Sequence, residues 1–487
     1  MATSTPADNR RLLAPLQDDP KLAAWVAVGL FLFALQVGAV AHFLTGLVAD
    51  LLGIFPTAEA SNSVLGRLVG LFEVAQRRAA ELPTLLSRDV VPNAGHWNGD
   101  RWVGTFMGFS PAVSWGIRVT LVYAYAFTWV VWAVLGYRYY REQYRVADWT
   151  PRDDIVDRFR SHGWGLFGAT IVFLFVVMVV FAPTLGPTTV EQNMESSYDY
   201  ETTYWNSETE EVETILTGEA NLNSKSTGDQ SRVMPMSYDD FGRFHPFGTL
   251  PNGRDLFTFI VAGSRISLVI GLLSVGLSAA LAVTLAMTSA YYKGRVDLGT
   301  VLLSDAVMAM PQLLLLIMLI TVLSDSWVGE IYSGGFVLAL IFAFTGWTYM
   351  WRSIRGPALQ ISERTWIDAA QSFGQRPWTI MRKHMLPYIT GYILVYGSMT
   401  LGGAIIAIAG LSYLGLGVAP PTPEWGRAIQ LGQEYVNTGS WHISLIPGLL
   451  ITLVVTGFNA LGDGIRDAID PQSDTGTGGA AGRGGGA

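Results

Sequence analysis

Residues 263–292 read GSRISLVIGLLSVGLSAALAVTLAMTSAYY, with Arg265 the one charged side chain among them. An α-helix needs about 20 predominantly apolar residues to cross a bilayer core, and this stretch exceeds that without a proline. Similar runs lie on both sides of it. Leu22 to Val48, Ala112 to Gly136 and Gly163 to Leu185 precede it; Thr300 to Leu323, Gly334 to Met350, Tyr388 to Tyr413 and Ile443 to Leu461 follow. The expected fold is an all-α, polytopic integral membrane protein with about eight transmembrane helices. The first run is longer than the apolar core of a cleavable leader and has no evident small-residue cleavage site, so it is read as retained.

Composition agrees. Half of the 487 residues are hydrophobic and 14% are charged, against roughly a quarter charged in soluble chains. A net charge of −8 excludes a nucleic-acid-binding role as the main reading, because phosphate backbones require a basic face. With no cysteine, disulfides, thiolate-ligated metals, iron–sulfur clusters and thiol catalysis are excluded. Four lysines against 27 arginines, with acidic loops, suit a high-salt, archaeal setting.

Basic residues orient the chain. With the N-terminus inside, the inner segments hold 19 Lys and Arg and the outer ones 10, of which 9 lie in two long loops. Both termini are therefore expected in the cytoplasm. Arg118 and Arg265, near outer span ends, are expected to snorkel. Ser63 to Arg88 mixes Leu65, Leu68, Val69 and Phe72 with charges and reads as a surface-lying amphipathic helix or a packed loop helix. Thr188 to Phe244 is polar throughout; Glu191 to Asp255 holds 13 acidic and 4 basic residues, which makes 188–255 an acidic external loop. The glycine-rich tail, 472–487, is expected to be disordered.

Eight helices suggest transport, and the energy source needs an argument. Ion-coupled carriers usually place ionisable groups inside the bilayer. Here Asp305 is the one carboxylate within the apolar runs of the last six spans; it lies near the inner edge, where a structural role is expected. No phosphate-binding loop of the GxxxxGK[ST] kind occurs, so the chain is not expected to be an ATPase, and it binds no cofactor of its own. The decisive loop is Leu359 to Pro387, LQISERTWIDAAQSFGQRPWTIMRKHMLP. It predicts two short helices broken at Gly374, with Pro387 opening the next span. Ala369 and Ala370 beside Asp368 would give the first helix a smooth face, suited to a groove in a partner or to a plain connector.

This loop resembles that of the permease subunits of ATP-binding cassette importers. Their signature is an acidic residue and two alanines, three residues, glycine, nine residues, isoleucine or another residue, one residue, then Leu-Pro. Asp368, Ala369, Ala370, Gly374, His384, Leu386 and Pro387 keep that spacing, with Asp368 where glutamate is commoner and His384 as in the peptide and nickel branch. His245, Pro246, Phe247, Gly248 and Thr249 are similar to that branch's HPxGT stretch, and Gly253, Arg254 and Asp255 to its GRD. Leu250 stands where an acidic residue is expected. Leu411 to Gly426 resembles the branch's external signature, and Phe458 to Pro471 the end of its second, C-type, permease.

The resemblance implies a six-helix binding-protein-dependent permease domain over 163–471, preceded by an extension, 1–162, with two extra spans. It implies a pore built with a second homologous permease in the cell membrane, and a separate pair of ATPases that use ATP and Mg and dock on the loop around Asp368 and Gly374. An extracellular binding protein would deliver peptides, nickel or a related solute. His245, Pro246, Gly248, Thr249, Arg254 and Asp255, with Pro420, Pro421, Pro423 and Trp425, are the external or pore-mouth candidates. The prolines read as a gate, a ledge or a structural corner. Six scattered histidines predict no metal site, and Met308, Met310 and Met318 read as packing, with Pro311 kinking their span. An ion-coupled carrier and a non-transporting membrane scaffold are the alternatives.

Overall fold

The computed structural model describes residues 19–41, 44, 45, 48, 64–80, 84–147 and 149–469. The glycine-rich tail and part of the first apolar run lie outside the described residues. Six described helices are long and apolar enough to cross a membrane, and a seventh span results if one sharply bent pair is counted together. The chain divides into two compact units, Met1–Gly95 with Trp102–Asp148, and His96–Arg101 with Trp149–Ala487.

The first unit contains α1 (Pro20–Ala34), α2 (Val64–Ala80) and α3 (Pro111–Gln143). Asp19 caps α1 and Ser110 caps α3, each followed by a proline whose fixed φ suits a first helical turn. At 15 residues, α1 is shorter than a span. It runs antiparallel to α3 through a reciprocal clasp. Trp25 and Trp132 stack with centroids 4.1 Å apart, and each indole N–H donates to the other's carbonyl, at 3.0 and 2.9 Å. A Cβ on Gly29 would come within 2.6 Å of Trp132, and one on Gly136 within 2.4 Å of Trp25, so each ring is seated on the other helix's glycine. Arg118 does not snorkel. It is fully buried and donates to the Val91 carbonyl and the Asn93 side chain at 3.0 and 2.7 Å, because inward acceptors are within its reach.

The second unit starts with α4 (Pro151–Ser161) and α5 (Gly163–Val180). Thr150 and Asp153 form a capping box. The acidic loop is ordered around a hairpin, β1 (Glu201–Asn206) and β2 (Glu211–Leu216), with Glu201 opposite Leu216 and Asn206 opposite Glu211. Its β-branched and aromatic residues suit a half-buried pleat. Glu213 accepts from Tyr204 and Asn206 across it, both at 2.8 Å. Helix α6 (Thr217–Asn223) and a short ladder, β3 (Ser237–Tyr238) with β4 (Phe244–His245), complete the loop.

The bundle follows: α7 (Leu256–Tyr292), α8 (Gly294–Met308), α9 (Gln312–Leu323), α10 (Gly335–Ser362), α11 (Thr365–Ser372), α12 (Pro377–Ile380), a π-turn at Met381–Met385, α13 (Leu386–Tyr413), α14 (Trp425–Gly432) and α15 (His442–Ile469). Helices α8 and α9 are the bent pair, at 85°, with Pro311 at the break. Met310 and Met318 are exposed there, so they do not pack in this chain's core; the bend carries them off the bundle. Small residues let the other helices close. A Cβ on Gly168 of α5 would meet the α15 backbone at 2.3 Å, and Gly165 faces Gly464. Between α7 and α10, Ser278 donates to the Ala343 carbonyl at 3.3 Å beside fully buried Ala282 and Ala286.

Candidate functional site

Two clusters of predicted residues lie at opposite ends of the second unit's bundle. At one end α10 gives way to α11, which closes on Gly374. The Gly374 N–H donates to the Gln371 carbonyl at 2.9 Å and the Gln375 N–H to Ala370 at 3.2 Å. That is a Schellman closure, and it needs the left-handed conformation that glycine adopts freely; φ at Gly374 is +70°. A Cβ there would meet nothing within 4 Å. The requirement is therefore conformational, not steric.

The loop is anchored from beneath. Ile367, Ala370, Ile380, Met381 and Met385 are buried in the same core as Ile354 and Ala358 of α10 and Ile389 of α13. Asp368, Ala369 and Gly374 face outward. The two alanines thus split, with Ala370 on the bundle side. Leu386 is half-buried and Pro387 exposed, and His384 Nε2 lies 3.1 Å from Gln375 Oε1. Phe373 is 87% exposed, an apolar side chain at the tip that the motif reading passed over; its signal was an aromatic residue just before the terminating glycine. Trp366 stacks on Tyr388 at 5.5 Å, which ties α11 to α13.

Ion pairs fasten α8 to α10 near this end. Arg355 grips Asp297 with two nitrogens, Nε at 2.6 Å from Oδ1. Arg352 pairs with Asp305, so the isolated carboxylate has a structural partner on the neighbouring helix.

At the other end, the HPxGT and GRD residues turn inward. His245 sits between two carboxylates, Nδ1 at 2.9 Å from Asp255 and Nε2 at 3.3 Å from Asp239. Asp239 also accepts from Arg243 Nε at 2.7 Å and from Ser224 at 2.9 Å. Burial disfavours charge on His245 and Asp239. The hydrogen bonds and opposite charges outweigh it, raising the His245 pKa and holding Asp239 far below the usual carboxylate range. Asp255 caps α7 through Thr258 N–H at 2.7 Å, while Asn193 exchanges two hydrogen bonds with its backbone. Thr249 donates to the Ser224 carbonyl at 2.6 Å.

Pro246, Gly248 and Thr249 are buried, and Arg254 half-buried. Gly253 has φ +78°, and a Cβ there would overlap the Asn221 carbonyl. Leu250 is fully buried in the main core, which explains an apolar residue at that position. Among the described residues no group of three or more His, Cys, Asp or Glu is placed to hold a metal ion.

Pro420 and Pro421 are exposed, whereas Pro423 and Trp425 are buried. Trp425 donates to the Ile260 carbonyl at 2.7 Å. Glu424, in the same turn, is 1% exposed and caps α14 through Gly426 N–H at 2.7 Å. Burial raises its pKa against the hydrogen bonds it accepts.

Residues 280–474 match the family described as binding-protein-dependent transport system inner membrane component. Residues 150–206 match the N-terminal TM domain of oligopeptide transport permease C. The chain is 31% identical over 323 residues to the glutathione transport system permease protein GsiD of Escherichia coli O1:K1, covering 66% of this chain and 91% of that one. It is 36% identical over 228 residues to the protein of that name from Pectobacterium atrosepticum, covering 47% of this chain and 73% of the relative. The apolar spans, the anchored loop and these matches together establish that the chain belongs to the multi-pass permease subunits of ABC importers, in the oligopeptide and glutathione transport family.

Proposed function

We propose that this chain forms one half of a translocation pathway for a small peptide-like solute, paired with a second, homologous permease. One of a pair of ATPase subunits docks on the α11 knuckle, where Asp368, Ala369, Phe373 and Gly374 are outward. ATP and Mg are used there, on the partner subunits. A substrate-binding protein meets the opposite end of the bundle, and both termini lie on the ATPase side of the cell membrane. The peptide-like solute is proposed because the named relatives are glutathione permeases and the N-terminal match is to an oligopeptide permease.

The observation that carries this reading is the knuckle itself. It joins an 87% exposed Phe373 to an underside buried in the bundle. Exposed aromatics of this kind are interface anchors. Close-packed interiors transmit displacement rather than absorb it, so a push on α11 moves α10 and α13 as bodies.

Co-purification tests it. An ATPase subunit should accompany the wild-type chain and be lost when residues 365–387 are replaced by an unrelated helix–turn–helix of equal length. Retention of the ATPase by the replaced chain overturns the docking assignment.

A further inference from the structure

We infer that the break between α8 and α9 lines the solute pathway, with Gln312 of α9 and Tyr349 of α10 facing the passing solute. This rests on the permease reading above. The break falls near the middle of the apolar run Thr300 to Leu323, and every residue from Ala309 to Leu314 is exposed. Pro311 precedes the first turn of α9, and no side chain caps that turn. The first N–H groups of a helix have no intrahelical acceptor.

In hydrocarbon each unsatisfied backbone group costs several kcal/mol. Irregular backbone at membrane depth persists where protein buries it or where it lines water. This chain does not bury it. Among the apolar side chains around it, Gln312 and Tyr349 stand exposed as polar ones. Met308, Met310, Gln312, Thr345, Thr348 and Tyr349 line one cleft; the two threonine hydroxyls are spent on α10 carbonyls, which leaves the Gln312 amide, the Tyr349 hydroxyl and the thioethers, with no charge. A solute presenting amides and apolar side chains matches that surface; a bare metal ion does not.

The cleft is mechanically connected. Its α10 wall continues to Arg352 and Arg355, which hold α8 through Asp305 and Asp297, and ends two residues before α11. A displacement of the docking loop therefore reaches both walls of the break.

The absence of cysteine makes a direct test available. Met310→Cys and Leu314→Cys are introduced singly into the complete transporter in native membranes and treated with a charged, membrane-impermeant methanethiosulfonate. Leu272→Cys and Leu394→Cys, at exposed apolar positions of the unbroken helices α7 and α13, serve as controls. The break positions should label and lose uptake on labelling, while the controls stay unlabelled. Labelling no faster than the controls overturns the inference. ATPase co-purification, measured on the same membranes, separates that failure from failure of the docking proposal.

Discussion

His245 Nδ1 lies 2.9 Å from Asp255 Oδ2, in the residue pair that joins the HPxGT and GRD stretches and caps α7. With Asp239 on its other nitrogen and Arg243 on Asp239, the buried cluster is stable as an imidazolium between carboxylates. A histidine whose pKa is raised on folding contributes stability that is full below its unfolded value, 6.5. That stability fades as pH rises through the folded value. Asp239, shifted down, contributes above its unfolded 3.8 and loses this only in strong acid. Protease resistance of the 188–255 loop should therefore be greatest between these values and fall above neutrality. His245→Gln should abolish that slope and destabilise by about 3–5 kcal/mol, the penalty for stranding buried charge. A wild-type profile flat from pH 6 to 10 contradicts the assignment.

The knuckle gives a prediction that separates conformation from contact. Gly374→Asn should retain uptake, because asparagine tolerates the left-handed region. Gly374→Val should lose it, since a β-branched residue at φ +70° is strained by about 1–2 kcal/mol or more. Phe373→Ala leaves the backbone alone. It should preserve membrane abundance and weaken ATPase association by about 2 kcal/mol, as truncation of an interface anchor does. Equal uptake by all three variants would remove both roles.

Much of this architecture was legible in sequence because apolar length is a one-dimensional signal. The continuous helices, the two-helix loop with its break at Gly374 and the kink at Pro311 all follow from hydropathy and from glycine and proline geometry. Burial of polar groups was not legible. Nothing local distinguishes Arg118, folded onto Val91 and Asn93, from an arginine reaching for water. The β1–β2 hairpin was hidden because acidic residues interrupt its alternation, and Glu213 acquires its partners across the strands. The HPxGT and GRD residues stand out as a motif, yet their inward orientation arises from contacts with Asn193 and Ser224, far away in sequence, and with Asp239, whose six-residue offset from His245 matches no helical or strand contact spacing. Ala369 and Ala370 look equivalent in sequence; only packing assigns one to the core.

The two Asp–Arg pairs between α8 and α10 should differ in weight. Asp297 and Arg355 are 19% and 31% exposed and doubly bonded, whereas Asp305 and Arg352 are 52% and 45% exposed. Water screens the second pair, so Asp305→Ala should cost no more than about 1 kcal/mol. Asp297→Ala should cost more, because it leaves a half-buried guanidinium without its fork partner. Thermal aggregation midpoints in detergent, with Asp297→Arg/Arg355→Asp as the charge-reversal rescue, decide it. Equal loss from both single variants would show that burial does not set the order.

The α1–α3 clasp makes the last prediction, about the extension alone. A 15-residue helix has little intrinsic stability, so its position against α3 depends on tertiary contacts. Trp25 and Trp132 supply a stacked pair and two indole hydrogen bonds; both rings are half-buried, so truncating one should cost less than the roughly 3–5 kcal/mol of a fully buried tryptophan. Gly136→Leu attacks the same contact without removing a ring, since even a Cβ would come within 2.4 Å of Trp25. Both variants should free α1 and loosen its first turn, so that the chain becomes cleavable at the already exposed Lys21, while Gly116→Ala, where a Cβ meets nothing within 4 Å, should not. Unchanged protection at Lys21 in Trp132→Ala and Gly136→Leu alike would mean that contacts other than the tryptophan pair hold α1 in place.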